Sequence, residues 1–176
     1  MSVIVGQDNL KREIDNFTIS SFPKTSLLLG PFGSGKHLMC SYVAEKFSLE
    51  ICDITEHINH DDLSEIISCG IPTLYCIDIS SIGIREQNII LKFIEEPPEC
   101  AIIMLLSNRL NSVLETVLSR CYVFRLDAYS DVVLREYASS LGITNEQVIS
   151  LSETPGELSY FNQFAYQLPN IKTLCD

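Results

Sequence analysis

The sequence predicts an α/β fold, a parallel five-stranded sheet with helices on both faces, followed by a small three-helix unit. Three observations carry the prediction. Short apolar runs rich in Ile, Leu and Val alternate with amphipathic stretches, the pattern of strands buried on both faces and joined by crossover helices. A glycine-rich stretch, Gly30-Pro31-Phe32-Gly33-Ser34-Gly35-Lys36, lies between one such run and the helix pattern after it. Beyond Leu126 the apolar runs stop and only helix patterns remain.

The elements follow in order. The first helix is expected over Asp8–Phe17 and the first strand over Ser26–Leu29, a run short enough to be a buried strand. A helix over Gly35–Phe47 leads to a second strand, Leu49–Ile54, and a third helix is expected over Asp61–Ser68. The third strand is Thr73–Ile77, and the helix Ile84–Glu95 after it stops at Pro97-Pro98, because proline has no N–H to donate and its ring clashes inside a helix. Strand Ala101–Leu106, helix Asn111–Ser119 and strand Tyr122–Leu126 complete the sheet pattern. Three helices follow, over Ser130–Ser140, Asn145–Ser152 and Gly156–Gln167; Ser130 and Asn145 suit N-caps, and Thr154-Pro155-Gly156 is a turn. The division into domains is expected at residues 1–127 and 128–176.

The 176 residues are 46% apolar and 20% charged, enough for an ordinary core. A net charge of −11 argues against binding nucleic acid independently, which needs a basic footprint. The apolar runs are far shorter than the ~20 residues of a membrane-spanning helix. The opening has no signal-peptide core, so a cytoplasmic protein without membrane contact is expected. Seven cysteines, with no paired CxxC spacing and mostly inside apolar runs, read as reduced thiols.

Gly30 to Lys36 fits G-x-x-x-x-G-K. Glycines let backbone N–H groups turn inward around phosphate oxygens, the next helix offers its positive end, and Lys36 reaches the terminal phosphates. This makes Gly30, Pro31, Gly33, Ser34, Gly35, Lys36 and His37 the candidate phosphate-binding residues. His37 stands where a Ser or Thr hydroxyl would serve Mg²⁺, a hard ion that prefers oxygen. Two readings stay open: loss of efficient metal-assisted hydrolysis, or a metal shell completed by water with His37 turned aside. Asp78, closing an apolar run, is the candidate metal-side carboxylate; as a strand-end residue it also suits a helix cap. Ile79 follows it where a glutamate would serve as the base for an attacking water.

Three further stretches, "IVGQDNLKREI" (Ile4–Ile14), "QNIILKFIEEPP" (Gln87–Pro98) and "LSNRLNSVLETVLSRC" (Leu106–Cys121), resemble the small subunits of DNA polymerase clamp loaders, which are AAA+ ATPases of the P-loop NTPase class. The likeness is greatest to the delta-prime subunit of bacterial DNA polymerase III. It implies a P-loop core followed by a helical lid, with ATP or ADP as ligand and Mg²⁺ on Asp78. Val5 and Gly6, beside Gln7, would lie near the adenine, and Asn108 would be the polar sensor of the γ-phosphate. Ser119-Arg120-Cys121 would present Arg120 to nucleotide on a neighbouring subunit, where a guanidinium neutralises charge on the transferring phosphoryl group. Without the likeness, Arg120 reads as a surface arginine capping its helix C-terminus. The implied partners are other subunits in a hetero-oligomeric ring, the sliding clamp, and primer-template DNA only through the complex. The family continues into a C-terminal collar domain, which is not expected within these 176 residues.

Three positions depart from an active member: His37, Ile79 and Glu157, the last where the family often places a lid arginine. Together they predict lost or weakened hydrolysis with the donated arginine kept. The alternatives are an active ATPase with Mg²⁺ on Asp78 and water, and another P-loop nucleotide-binding module. His57, His60, Asp61 and Asp62 read as a polar loop ahead of a metal cluster; Glu95-Glu96 as a turn; Arg85 and Lys92 as two charges too few to claim DNA contact.

Overall fold

The computed structural model describes residues 4–58 and 70–164. Among these, five strands form one sheet: β1 (Thr25–Leu29), β2 (Glu50–Asp53), β3 (Thr73–Asp78), β4 (Ala101–Ser107) and β5 (Tyr122–Arg125). Every pairing is parallel and the order is β2-β3-β4-β1-β5. The register sets Leu27 beside Leu105 and Val123, and Cys76 beside Met104. Parallel neighbours require crossover connections, and the helix patterns in the sequence supply them. The expected helix Asp61–Ser68 falls outside the described residues.

Alternation along the strands divides the core in two. Leu28, Leu74, Cys76, Ile102, Met104, Leu106 and Phe124 face α1 (Asp8–Asp15) and α2 (Lys36–Phe47), which contribute Leu10, Ile14, Met39, Cys40 and Val43. Leu27, Tyr75, Ile77, Ala101, Ile103 and Leu105 face α3 (Ile84–Glu95) and α4 (Glu115–Leu118), which contribute Ile90, Ile94 and Val117. The central strands β3 and β4 are buried along almost their whole length, as strands covered on both faces must be.

The stretch Asn111–Ser119, expected as one helix, is a 3₁₀ turn over Leu110–Ser112 and a short α4 over Glu115–Leu118. Val113 and Leu114 between them are extended. The cause is a buried glutamine from α3: Gln87 Nε2 donates to the Ser112 carbonyl at 2.9 Å, and its Oε1 accepts from Leu114 N at 3.0 Å. The side chain takes the place of helix hydrogen bonds across the break.

The chain folds as two compact units, one of residues 1–31 and 36–127, the other of residues 32–35 and 128–176. In the second unit α5 (Asp131–Ser140), α6 (Glu146–Leu151) and α7 (Pro155–Phe164) enclose Ala138, Ile143, Val148, Ile149 and Leu158. Ser130 Oγ caps α5 by accepting from Val133 N, and Asn145 Oδ1 caps α6 by accepting from Gln147 N and Val148 N. No helix among the described residues is long and apolar enough to cross a membrane.

Candidate functional site

The loop begins where β1 ends, with Gly30 N donating to Ser107 O at 3.1 Å, and it closes at Lys36, the first residue of α2. Gly33 (φ 72°) and Gly35 (φ 89°) take left-handed backbone conformations, which only glycine adopts at no steric cost. Lys36 is 7% exposed, and its Nζ donates to Gly30 O (2.8 Å), Pro31 O (2.8 Å) and Asn108 Oδ1 (2.7 Å). Burial lowers its pKa, and the Asp78 carboxylate opposes that shift.

Topology explains the meeting of Lys36, Asn108 and Asp78. The strand β4 lies between β1 and β3, so the C-terminal ends of all three emerge side by side, the edge at which open α/β sheets bind ligands. Asn108 N donates to Ser80 Oγ at 2.9 Å, while Ser80 N donates to Asp78 Oδ1 at 2.9 Å. One chain of hydrogen bonds therefore runs Lys36–Asn108–Ser80–Asp78.

His37 points elsewhere. Its Nε2 lies 3.2 Å from Asp53 Oδ2, at the end of β2. Asp53 Oδ1 accepts from Thr55 Oγ1 (2.6 Å) and Thr55 N (3.0 Å), and Thr55 Oγ1 accepts from Asp78 N (2.9 Å). Burial alone would raise the pKa of Asp53; the hydrogen bonds from Thr55, then that from His37, outweigh it and hold the carboxyl below the ordinary aspartate range. His37, Asp53, Thr55, Glu56 and Asp78 line an open cleft of about 730 Å³, together with His57, Ser81 and Ile82. The site does not fit a hydroxyl-held Mg²⁺, because the side chain after the lysine is an imidazole bonded to a carboxylate. Asp78 alone of the expected pair offers oxygen.

Nothing in the sequence singles out Asp53 and Thr55. Asp-Ile-Thr closing a strand is a turn signal, and no local pattern ties it to position 37. Gln7, 4% exposed, is a second such case: its amide group donates to Asp127 O (2.9 Å) and accepts from Asp127 N (2.8 Å), joining the segment after Val5 and Gly6 to the end of β5.

Arg120 makes its contacts within its own chain. Nη1 donates to Thr116 O (2.8 Å) and Ser119 Oγ (3.2 Å), and Nη2 pairs with Glu95 Oε1 at 2.7 Å. The contact with Thr116 O is the helix-end cap expected of a surface arginine. Arg85 and Lys92 lie on α3, and His60, Asp61 and Asp62 lie outside the described residues. Cys40, Cys76, Cys100 and Cys121 are free thiols, and burial pushes Cys121 up to about 12.

The loop tip Phe32–Gly35 belongs with the second unit. Three consecutive tip carbonyls accept hydrogen bonds from that unit: Phe32 O from Thr154 Oγ1 (2.9 Å), Gly33 O from Gly156 N (3.0 Å) and Ser34 O from Tyr129 OH (2.8 Å). Glu157 turns back, its Oε2 accepting from Glu153 N at 2.9 Å.

A parallel sheet in this order, with a glycine-rich loop after β1, a carboxylate closing β3 and a helical unit following in sequence, is the P-loop fold of AAA+ ATPases. Solved structures agree. The RuvB Holliday junction branch migration motor of Thermotoga maritima superposes with a TM-score of 0.66 at 17% identity, over 93% of this chain and 62% of that one. Two substituted variants of it give 0.68 and 0.67, both at 18% identity. The chain spans about three fifths of their length. Within this fold, residues 77–130 match the family model described as DNA polymerase III, delta subunit, so the segment from the end of β3 to the start of α5 is clamp-loader-like. No curated protein matches the chain.

Proposed function

We propose that this chain is a clamp-loader subunit of DNA replication, most like delta-prime, that holds ATP or ADP without hydrolysing it efficiently. In this reading residues 1–127 are the nucleotide-binding core and 128–176 the lid. The chain works in the cytoplasm, in a ring with other clamp-loader subunits, and meets the sliding clamp and primer-template DNA through that ring. Its part in turnover is Arg120, given to nucleotide on a neighbouring subunit.

The observation that carries the reading is the pairing of His37 with Asp53. A side chain bonded away to β2 supplies no oxygen ligand beside the loop lysine, and Ile79 supplies no base. The cradle itself survives: Gly33, Gly35 and Lys36 suit a polyphosphate, and Asn108 stays bonded to Lys36. Asp78 would supply whatever metal contact the nucleotide brings. Its position also supports the alternative, an active ATPase whose metal is held by Asp78 and water.

The test is a titration of the purified chain with fluorescent ATP, with phosphate release assayed on the same sample. Saturable binding without turnover is expected, and Lys36→Ala should abolish the binding. Robust turnover by the chain alone would establish the alternative.

A further inference from the structure

The proposed role of Arg120 requires a guanidinium held still at the surface, and a long side chain with free rotation loses entropy each time it engages. The backbone under Arg120 is fixed. Val117 is fully buried against the sheet, Arg120 N donates to Val117 O at 3.1 Å and Cys121 N to Leu118 O at 3.2 Å. The side chain is held by two hydrogen-bond acceptors, Thr116 O and Ser119 Oγ, and by one ion-pair partner, Glu95 Oε1. The first two come from the same short helix and its end. The third comes from α3, whose last residue is Glu95 because Pro97-Pro98 forbids another turn.

Resting on the reading above, we propose that Glu95 is a positioning residue for Arg120. It fixes the guanidinium so that the donors not used within its own chain are presented to phosphate oxygens of nucleotide bound by a neighbouring chain. Among the described residues, Nη1 hydrogen-bonds Thr116 O and Ser119 Oγ, and Nη2 forms an ion pair with Glu95 Oε1. A guanidinium carries five N–H donors, more than these contacts use, and a pair of them side by side matches two phosphate oxygens. Both side chains are substantially exposed, 39% for Arg120 and 45% for Glu95, so the guanidinium is open to an incoming chain. An exposed pair of this kind adds little to stability. Its effect is on geometry, and a misplacement of about 1 Å near the reacting atoms costs on the order of 100-fold in rate.

The experiment uses the native assembly, co-purified from its host through a tag on the full chain, with ATP turnover normalised to assembled complex. Arg120→Ala, Glu95→Ala and Glu95→Gln are compared with the unaltered chain. Arg120→Ala should lower kcat by about 1,000-fold or more, the range for an arginine supplied in trans. Glu95→Ala should lower kcat by about 10- to 100-fold with KM for ATP unchanged. Glu95→Gln, which keeps an acceptor at Oε1, should restore kcat to within about threefold. Loss of activity in Arg120→Ala with an unaltered kcat in Glu95→Ala would overturn the positioning role alone. An unaltered kcat in Arg120→Ala would overturn the in-trans reading and this inference with it. A kcat raised by Glu95→Gln would also overturn it, because it would make Glu95 a mask over the arginine. Should Glu95→Ala fail to fold, Glu95→Gln still decides against a mask, and Glu95→Asp, whose shorter side chain draws the acceptor back, decides the geometry.

Discussion

A hydroxyl after the loop lysine would face the phosphates; His37 instead faces Asp53, and the carboxylate is held on its other oxygen by Thr55. This small cluster has a pH signature. Asp53 has a folded-state pKa below the ordinary value, so its carboxylate adds stability above about pH 4 and gives it up as the pH falls through the folded value. Asp53→Asn should therefore lower the melting temperature near about pH 7 and converge on the unaltered protein towards about pH 3. Parallel melting curves across that range would mean that Asp53 titrates alike folded and unfolded. The sequence displays each of these residues and conceals their meeting. Asp53 lies on an edge strand with mostly exposed side chains, where nothing in the hydropathy marks one carboxylate over another. Lys36 was legible because the glycine pattern names it directly, whereas Asn108 was reached only through the family likeness and by itself reads as an ordinary turn residue.

At the scale of elements, runs buried on both faces were the legible part. The strands β3 and β4 are apolar along most of their length because helices cover both sides, and α3 was bounded correctly by its prolines. The break between Leu110–Ser112 and α4 was not legible, because its cause is a side chain more than twenty residues away: Gln87, 3% exposed, bonds Ser112 O and Leu114 N. Gln87→Leu keeps the bulk and removes both partners. Leaving a buried polar group unpaired costs about 1–3 kcal/mol, so the substitution should cost about 2–6 kcal/mol for the two groups. A urea titration reads this as a fall in midpoint at constant slope. Faster amide exchange over α4, immediately before Arg120, should accompany it. A stability within about 0.5 kcal/mol of the unaltered protein would mean that the break is set by its own sequence.

Over the whole molecule, the phosphate loop is where the chain leaves one compact unit and enters the other. Its tip, Phe32–Gly35, belongs with α5 to α7, while Gly30 and Lys36 belong with the sheet. Three consecutive tip carbonyls are bonded by Thr154, Gly156 and Tyr129, and at about 1 kcal/mol net apiece these bonds bind the tip to the helical unit. The two glycines are there for proximity. A Cβ on Gly156 would meet Gly33 O at 2.8 Å, and one on Gly33 would meet Gly156 Cα at the same distance. Backbone atoms cannot yield as the end of a flexible side chain can. Gly33, at φ 72°, also carries a conformational penalty for any side chain, so Gly156 is the cleaner probe of the close approach. Gly156→Ala should push the turn off the tip at a cost of about 1–3 kcal/mol to the helical unit, in the range of overpacked cores. Hydrogen exchange should then quicken at residues 153–158 and along α7, and in the loop tip, while β1 and β4 keep their protection. Equal protection throughout would mean that the turn and tip part freely in solution, and the loop would then be a feature of the sheet unit alone.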